Sequence, residues 1–215
     1  MRFGALISTA LLAFCGSAVF VEGARADGVP GRFDYWVLAL SWSPQYCATA
    51  QKADKTQCGT QRSFGFVVHG LWPQYERGYP SQCGKATYVP EALIDRMLTI
   101  MPSKPLILHE WRKHGSCSGL DSSGYFGRIE QLYEGLTIPQ RYHQLDKPLT
   151  QTPQQLEAAW LQANPRLTPQ RVALQCSGPY LSELRLCYDR QFSPRDCSAE
   201  VRDRCGEQVV LRPQR

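Results

Sequence analysis

The nine cysteines of this 215-residue chain limit its folding more than any other feature. One of them, Cys15, lies in a leading segment that reads as an export signal. Arg2 supplies a short positive start, Ala5 to Val21 is small and apolar, and Ala24-Arg25-Ala26 matches a small-x-small cleavage site. Phe14 before Cys15 is a poor fit to a lipidation site, and the apolar run is barely long enough for a membrane anchor. Residues 1–26 are expected to be a signal peptide and residues 27–215 a single domain. The cysteines left are Cys47, Cys58, Cys83, Cys117, Cys176, Cys187, Cys197 and Cys205. An even number on an exported chain points to four disulfides, with roughly a hundred pairings open to eight cysteines. Zinc is disfavoured, because no pair has Cys-x-x-Cys spacing and no histidine lies near the C-terminal four.

The signal segment and the cysteines point outside the cytoplasm. The chain's single asparagine, Asn164, precedes Pro165, so there is no glycosylation sequon and nothing asks for a eukaryotic secretory route. A bacterial periplasm or exterior is the expected setting. No later segment is apolar enough to span a membrane, so no membrane association is expected once the signal is removed. Removing residues 1–26 takes away Arg2, Arg25 and Glu22, which lowers the formal net charge from +5 to +4. A mild positive charge suits a polyanionic substrate and is weak support for one.

Periodicity gives an α+β chain with a mostly antiparallel sheet packed with helices and held by disulfides. Phe33 to Leu40 reads as a buried strand. Residues 45–62 are polar and read as a loop stapled by Cys47 and Cys58. Phe64 to Val68 reads as a second strand that stops at His69, with Gly70 and Pro73 ending it. A surface loop is expected over 73–88. Pro90 opens a helical run that Pro102 stops, and Leu106-Ile107-Leu108 is a second apolar stretch. Two further helices are expected over 125–136 and 153–162. Strands follow at 172–174, at 181–188 with Leu184, Leu186 and Tyr188 alternating, and at 209–211.

Three of the four histidines fall in two short segments, Phe66 to Pro73 and His109 to His114. If residues 109–114 are helical, His109, Glu110, Lys113 and His114 fall within an arc of roughly 140°, with Trp111 and Arg112 outside it. The motif can then present four polar groups to one cleft while Gly115 ends the helix. A zinc protease needs His-Glu-x-x-His, whereas here the histidines are five apart and Lys113 adds a cation. No Gly-x-Ser-x-Gly elbow exists, and the cysteines are taken up in pairs. Two histidines with a Lys/Glu pair suit RNA cleavage. RNA carries its own nucleophile, the 2′-hydroxyl, and asks only for a base, an acid and charge on the phosphorane. A free imidazole titrates near 6.5, so both protonation states coexist at mildly acidic pH without metal.

His69-Gly70-Leu71-Trp72-Pro73 and His109-Glu110-Trp111-Arg112-Lys113-His114-Gly115-Ser116-Cys117 resemble the two motifs of the T2 family of ribonucleases, with Ser116 in place of Thr. The likeness runs from Tyr35–Trp42 to Leu184–Asp189 and so covers nearly the whole mature chain. It implies His69 as general acid, His114 as general base, His109 on the scissile phosphate, and Glu110 and Lys113 on the phosphorane. Trp72 would offer a base a stacking face. It also implies the pairs Cys83–Cys117, Cys187–Cys197 within Cys176–Cys205, and Cys47–Cys58. The substrate would be single-stranded RNA, with no cofactor and no metal, and the enzyme a monomer. Gln74, Ser41 and Leu106 depart from residues found in some family members, so base preference does not carry over and a broadly unselective enzyme is expected.

Each sharp reading has a plain one beside it. His143, in Arg141-Tyr142-His143-Gln144, reads as a surface histidine, Trp111 as core, and Gly70 and Pro73 as shaping a loop. Two other classes remain in view. One is a secreted RNA-binding or toxin-like module that keeps the fold without turnover, which the intact histidines disfavour. The other is a disulfide-rich interaction protein, which has no use for these groups in one arc.

Overall fold

The computed structural model describes residues 28–59 and 63–214, with Met1; apart from Met1, the expected signal peptide lies outside the described residues. The elements are β1 (Tyr35–Trp42), α1 (Ser43–Thr49), α2 (Lys55–Cys58), β2 (Phe66–Gln74), α3 (Glu91–Met97), α4 (Lys104–Lys113), α5 (Ser122–Glu134), β3 (Leu149–Gln151), α6 (Pro153–Ala163), β4 (Val172–Ser177), β5 (Tyr180–Tyr188) and β6 (Val209–Leu211). The strands form one sheet in the order β2-β1-β5-β6-β3, with β4 paired to β5. Every pairing is antiparallel except β5 with β6, which meet in parallel at Tyr180 and Val210. This is the expected α+β class.

Alternation along β1 divides the molecule. Trp36, Leu38, Leu40 and Trp42 join Leu184, Leu186 and Tyr188 of β5 in the main core, which the helices cover with Ile107, Trp111, Phe126 and Trp160. Tyr35 and Val37 point the other way, into a smaller cluster with Ala173, Cys187 and Val201. Trp72 packs against the edge of that second cluster. The second face of the sheet is therefore only partly covered, and the polar groups of β2 and β5 lie there.

β2 corrects the sequence reading. It does not stop at His69 but runs on through Gly70 and Pro73 to Gln74. Pro73 is tolerated because β2 is the edge strand of the sheet, where a missing N–H breaks no interior ladder. The pairing slips within it: Ala39 faces Gly70 and Leu40 faces Val68, which leaves His69 without a partner in a β-bulge. Val68 and Leu71 both lie in the main core, so His69 and Gly70 share the opposite side. The Tyr125 hydroxyl donates to the Leu71 carbonyl at 2.8 Å and pins the strand just past the bulge.

Other boundaries also moved. The first strand is Tyr35–Trp42, two residues later than expected. Residues 45–62 are not simply a loop, since α1 and α2 lie within them. Asp54 caps α2 by accepting from the Thr56 amide at 2.8 Å, a local signal that the polar composition hid. Leu106 to Leu108 belong to the helix that carries the second motif. Ser103 caps that helix and Pro105 sits in its first turn. The short strand β3 was not expected at all; three residues carry too little pattern to read.

The disulfides are Cys47–Cys58, Cys83–Cys117, Cys176–Cys205 and Cys187–Cys197, the four pairs that the resemblance implies. Cys83–Cys117 closes the longest loop, 34 residues, and anchors the end of α4. Chain-entropy reasoning gives about 4 kcal/mol for that loop and about 3 kcal/mol for the 11-residue loop of Cys47–Cys58. Replacing both Cys83 and Cys117 by Ser is expected to lower stability by about that larger amount, more than the Cys47/Cys58 double replacement does. Urea unfolding of the two variants side by side measures the difference.

Candidate active site

The bulge in β2 and the last turn of α4 meet over the open face of the sheet. His69, the extra residue of the bulge, is half-buried, and Trp72 stands on the same face beside it. The two rings meet edge to face, 5.2 Å apart. From α4, Glu110 enters this space and is 1% exposed. Its Oε2 accepts a 2.7 Å hydrogen bond from the Trp72 indole, and its Oε1 lies 3.7 Å from His69 Nε2. Only glycine leaves room for that carboxylate. A Cβ on Gly70 would lie 2.0 Å from Glu110 Oε2 and 2.5 Å from Trp72 Nε1. Gly70 does not end the strand; it lets the second motif reach the first.

The helix expected over 109–114 is the end of the longer α4. His114 closes it as its C-cap, and a 3-10 turn, Gly115–Cys117, follows. His114 is buried. Its ring lies 5.5 Å from that of Trp72 and 6.0 Å from that of Tyr79, an exposed residue of the 75–88 loop. Its buried Nδ1 has no hydrogen-bond partner among the described residues. Lys113 is half-buried, with Nζ 5.8 Å from the centre of the Tyr79 ring. His109 is exposed at the rim and reaches the group only through its charge. Trp111 turns into the core and donates to the Thr87 carbonyl at 2.8 Å. Thus Trp72 meets His69, Glu110 and His114, while Lys113 and His109 border the group.

Two residues of β5 complete the arrangement, and the sequence reading did not select them. Glu183 Oε1 lies 2.6 Å from His69 Nδ1. Glu183 Oε2 accepts from Arg185 Nε at 3.0 Å and Nη2 at 2.8 Å. The Arg185 guanidinium lies over the Trp72 ring, 5.1 Å from its centre. The alternation of Leu184, Leu186 and Tyr188 already put Glu183 and Arg185 on the opposite face. What the sequence lacked was the register that sets β5 near β2.

The electrostatics separate the histidines. Burial pulls the His69 pKa down, but the hydrogen bond and charge of Glu183 and the charge of Glu110 outweigh it, and the pKa is raised above the ordinary imidazole value. Burial lowers the His114 pKa, and the Lys113, His69 and His109 charges lower it further, to about 3. His109 is also lowered, by burial and then by Lys113, Arg112 and His69. Burial raises Glu110 against the opposing pull of His69, Trp72 and Lys113. One imidazole thus holds its proton more tightly than a free imidazole and another more weakly, both beside the same indole. A Gly70→Ala variant is expected to expel the Glu110 carboxylate and weaken the site by tenfold or more in turnover, with the disulfides intact. Steady-state kinetics on folded variant protein checks this.

The sequence profile of the Ribonuclease T2 family matches residues 33–197. A ribonuclease of Aeromonas hydrophila is 35% identical over 199 residues, which cover 89% of this chain and 91% of that protein. Among solved structures, an RNase-related protein from Calystegia sepium superposes with a TM-score of 0.70 at 24% identity, covering 85% of this chain and 98% of its own. RNase NT, solved with 5′-AMP, superposes with a TM-score of 0.65 at 24% identity, covering 86% of this chain and 100% of its own. These two likenesses are of fold. The family profile spans most of the chain and the bacterial relative matches it nearly end to end, so this chain belongs to the ribonuclease T2 family and is a ribonuclease.

Proposed function

We propose that this ribonuclease cuts single-stranded RNA internally without metal, by transfer of the 2′-oxygen to phosphorus, leaving 2′,3′-cyclic phosphate ends that it then hydrolyses to 3′-phosphates. The observation that carries the reading is the opposite tuning of two imidazoles that both border Trp72. A base must be neutral and an acid charged at the same pH, and His114 and His69 satisfy those demands in turn. In the first step His114 takes the 2′-hydroxyl proton as the 2′-oxygen bonds to phosphorus. The bond to the 5′-oxygen breaks, and that oxygen takes a proton from His69. In the second step the roles exchange: His69, now neutral, takes a proton from water as its oxygen bonds to phosphorus, and His114 returns one to the departing 2′-oxygen.

The other residues serve the phosphorane. His109, on the rim, holds the scissile phosphate, and Lys113 and Glu110 stabilise and orient the charge that develops on it. Trp72 offers a stacking surface to a base of the substrate. Relatives in nucleotide complexes, RNase NT with 5′-AMP and an RNase MC1 variant with 5′-GMP, support a nucleotide in a site of this fold. Four disulfides suit an oxidising compartment, and we infer export to a bacterial periplasm or the exterior, with residues 1–26 removed and the enzyme acting as a monomer. No helix among the described residues is long and apolar enough to cross a membrane.

Two tests follow. Single-stranded RNA incubated with oxidised protein in excess EDTA should give fragments ending in 2′,3′-cyclic phosphate and later 3′-phosphate. His69→Ala or His114→Ala should each reduce turnover by about a hundred- to ten-thousand-fold while the fold survives. Binding without cleavage by wild-type protein would instead favour the non-catalytic module. The second test is the pH profile. His114 loses its role only when protonated, near its lowered pKa of about 3, and His69 loses its role as pH rises through its raised pKa. The kcat/KM of the free enzyme should therefore hold a plateau through mildly acidic pH and fall on both sides.

A further inference from the structure

We propose that Glu183 and Arg185 form a positioning pair that aims the His69 imidazole for the cleavage reaction. The proposal rests on the reading of His69 as proton donor. Neither residue lies in either histidine motif; both reach the site from β5, on the far side of β1 from His69. A carboxylate only accepts, so the 2.6 Å bond from His69 to Glu183 Oε1 places a proton on Nδ1. That leaves Nε2 as the nitrogen turned toward the reacting groups. It cannot be held by Glu110 Oε1, which at 3.7 Å is too far for a hydrogen bond.

Arg185 makes Glu183 rigid. Glu183 divides its two oxygens between neighbours, Oε1 to His69 and Oε2 to Arg185 through both Nε and Nη2. The guanidinium in turn lies over Trp72, the indole that also grips Glu110. The four side chains form a closed circuit from His69 through Glu183 and Arg185 to Trp72, which touches His69 again. The backbone favours this placement. In the β4–β5 ladder Gln175 faces Glu183 and Cys176 faces Leu181, so Ser182 is an extra residue immediately before Glu183. Its hydroxyl is held by the Gln175 carbonyl at 2.8 Å. Across β1 the ladder is unbroken, with Ser41 facing Glu183 and Ala39 facing Arg185, and the bulge at His69 turns the imidazole to the face they share.

The charges facing His69 set the signs of the test. From β5 come the Glu183 carboxylate and the Arg185 cation, and from α4 the Glu110 carboxylate; His109, Lys113 and His114 of the α4 segment lie beyond. Removing the Glu183 charge should ease deprotonation of His69, and removing the Arg185 charge should oppose it. Glu183→Gln, Glu183→Asp and Arg185→Met would be compared by NMR titration of His69 and by pH profiles of kcat and KM on RNA. Near-ultraviolet circular dichroism would verify the fold of each.

In Glu183→Gln the His69 midpoint should fall by about one pH unit or more. The alkaline limb of kcat should follow it and kcat at pH 7 should drop tenfold or more, with KM within about twofold. Glu183→Asp should restore much of the limb. Arg185→Met, whose aliphatic stem still covers Trp72, should move the midpoint upward, and it tests the pair even if Glu183→Gln fails to fold. An unmoved midpoint in both charge-removing variants, or a change in KM alone, would overturn the pairing. A midpoint that falls while the alkaline limb stays put would overturn the proposal through the reading beneath it, because His69 would then not be the donor.

Discussion

The hydrogen bond between the Trp72 indole and the Glu110 carboxylate joins two stretches of chain into one site. A carboxylate that is 1% exposed is costly unless donors and charge meet it. Here the indole supplies the donor, His69 the nearby positive charge, and the missing side chain of Gly70 the room. Remove the indole and the buried carboxylate loses its hydrogen-bond donor, a larger loss than the net worth of one hydrogen bond. Placement of the neighbouring groups follows from it. The carboxylate fixes the last turn of α4 against β2, and that turn brings His114 beside the same indole.

Burial pulls on all three imidazoles in the same direction, toward the neutral form. What separates them is the company each keeps. His69 lies between two carboxylates, whereas His114 follows a lysine and has no anionic partner. This arrangement needs elements from different parts of the sheet, because the partner that holds the proton on His69 comes from a strand more than a hundred residues later. Charge on β5 therefore complements the motifs of β2 and α4, and the middle strand β1, with Ala39 opposite Arg185 and Ser41 opposite Glu183, separates them without adding charge of its own.

Much of this was legible in the sequence. The apolar run of β1, the alternation of β5, the helical spacing of which α3 fills Glu91–Met97, and the arc of His109, Glu110, Lys113 and His114 rest on local pattern, which a sequence carries openly. The pairing of cysteines came from likeness to a family rather than from spacing, and the roles proposed for the histidines rest on the same likeness. The illegible parts are of another kind. Gly70 and Pro73 read as strand breakers because a sequence does not say that β2 is an edge or that a carboxylate needs the space of a side chain. Glu183 and Arg185 looked like ordinary outward residues of a half-buried strand. Their meaning depends on pairing register, and the unpaired residue His69 shifts the register of β2 on β1 where no turn signal marks it.

The bulge in β2 has a consequence for how such a site arises. Val68 faces Leu40 and Gly70 faces Ala39, which are adjacent residues of β1. Val68 points into the core and Gly70 away from it, so a strand that passed directly from one to the other would alternate without a fault. The sheet is complete without His69. His69 is an addition to a ladder already satisfied, and a one-residue deletion there would leave a more regular strand and a sheet face without its imidazole.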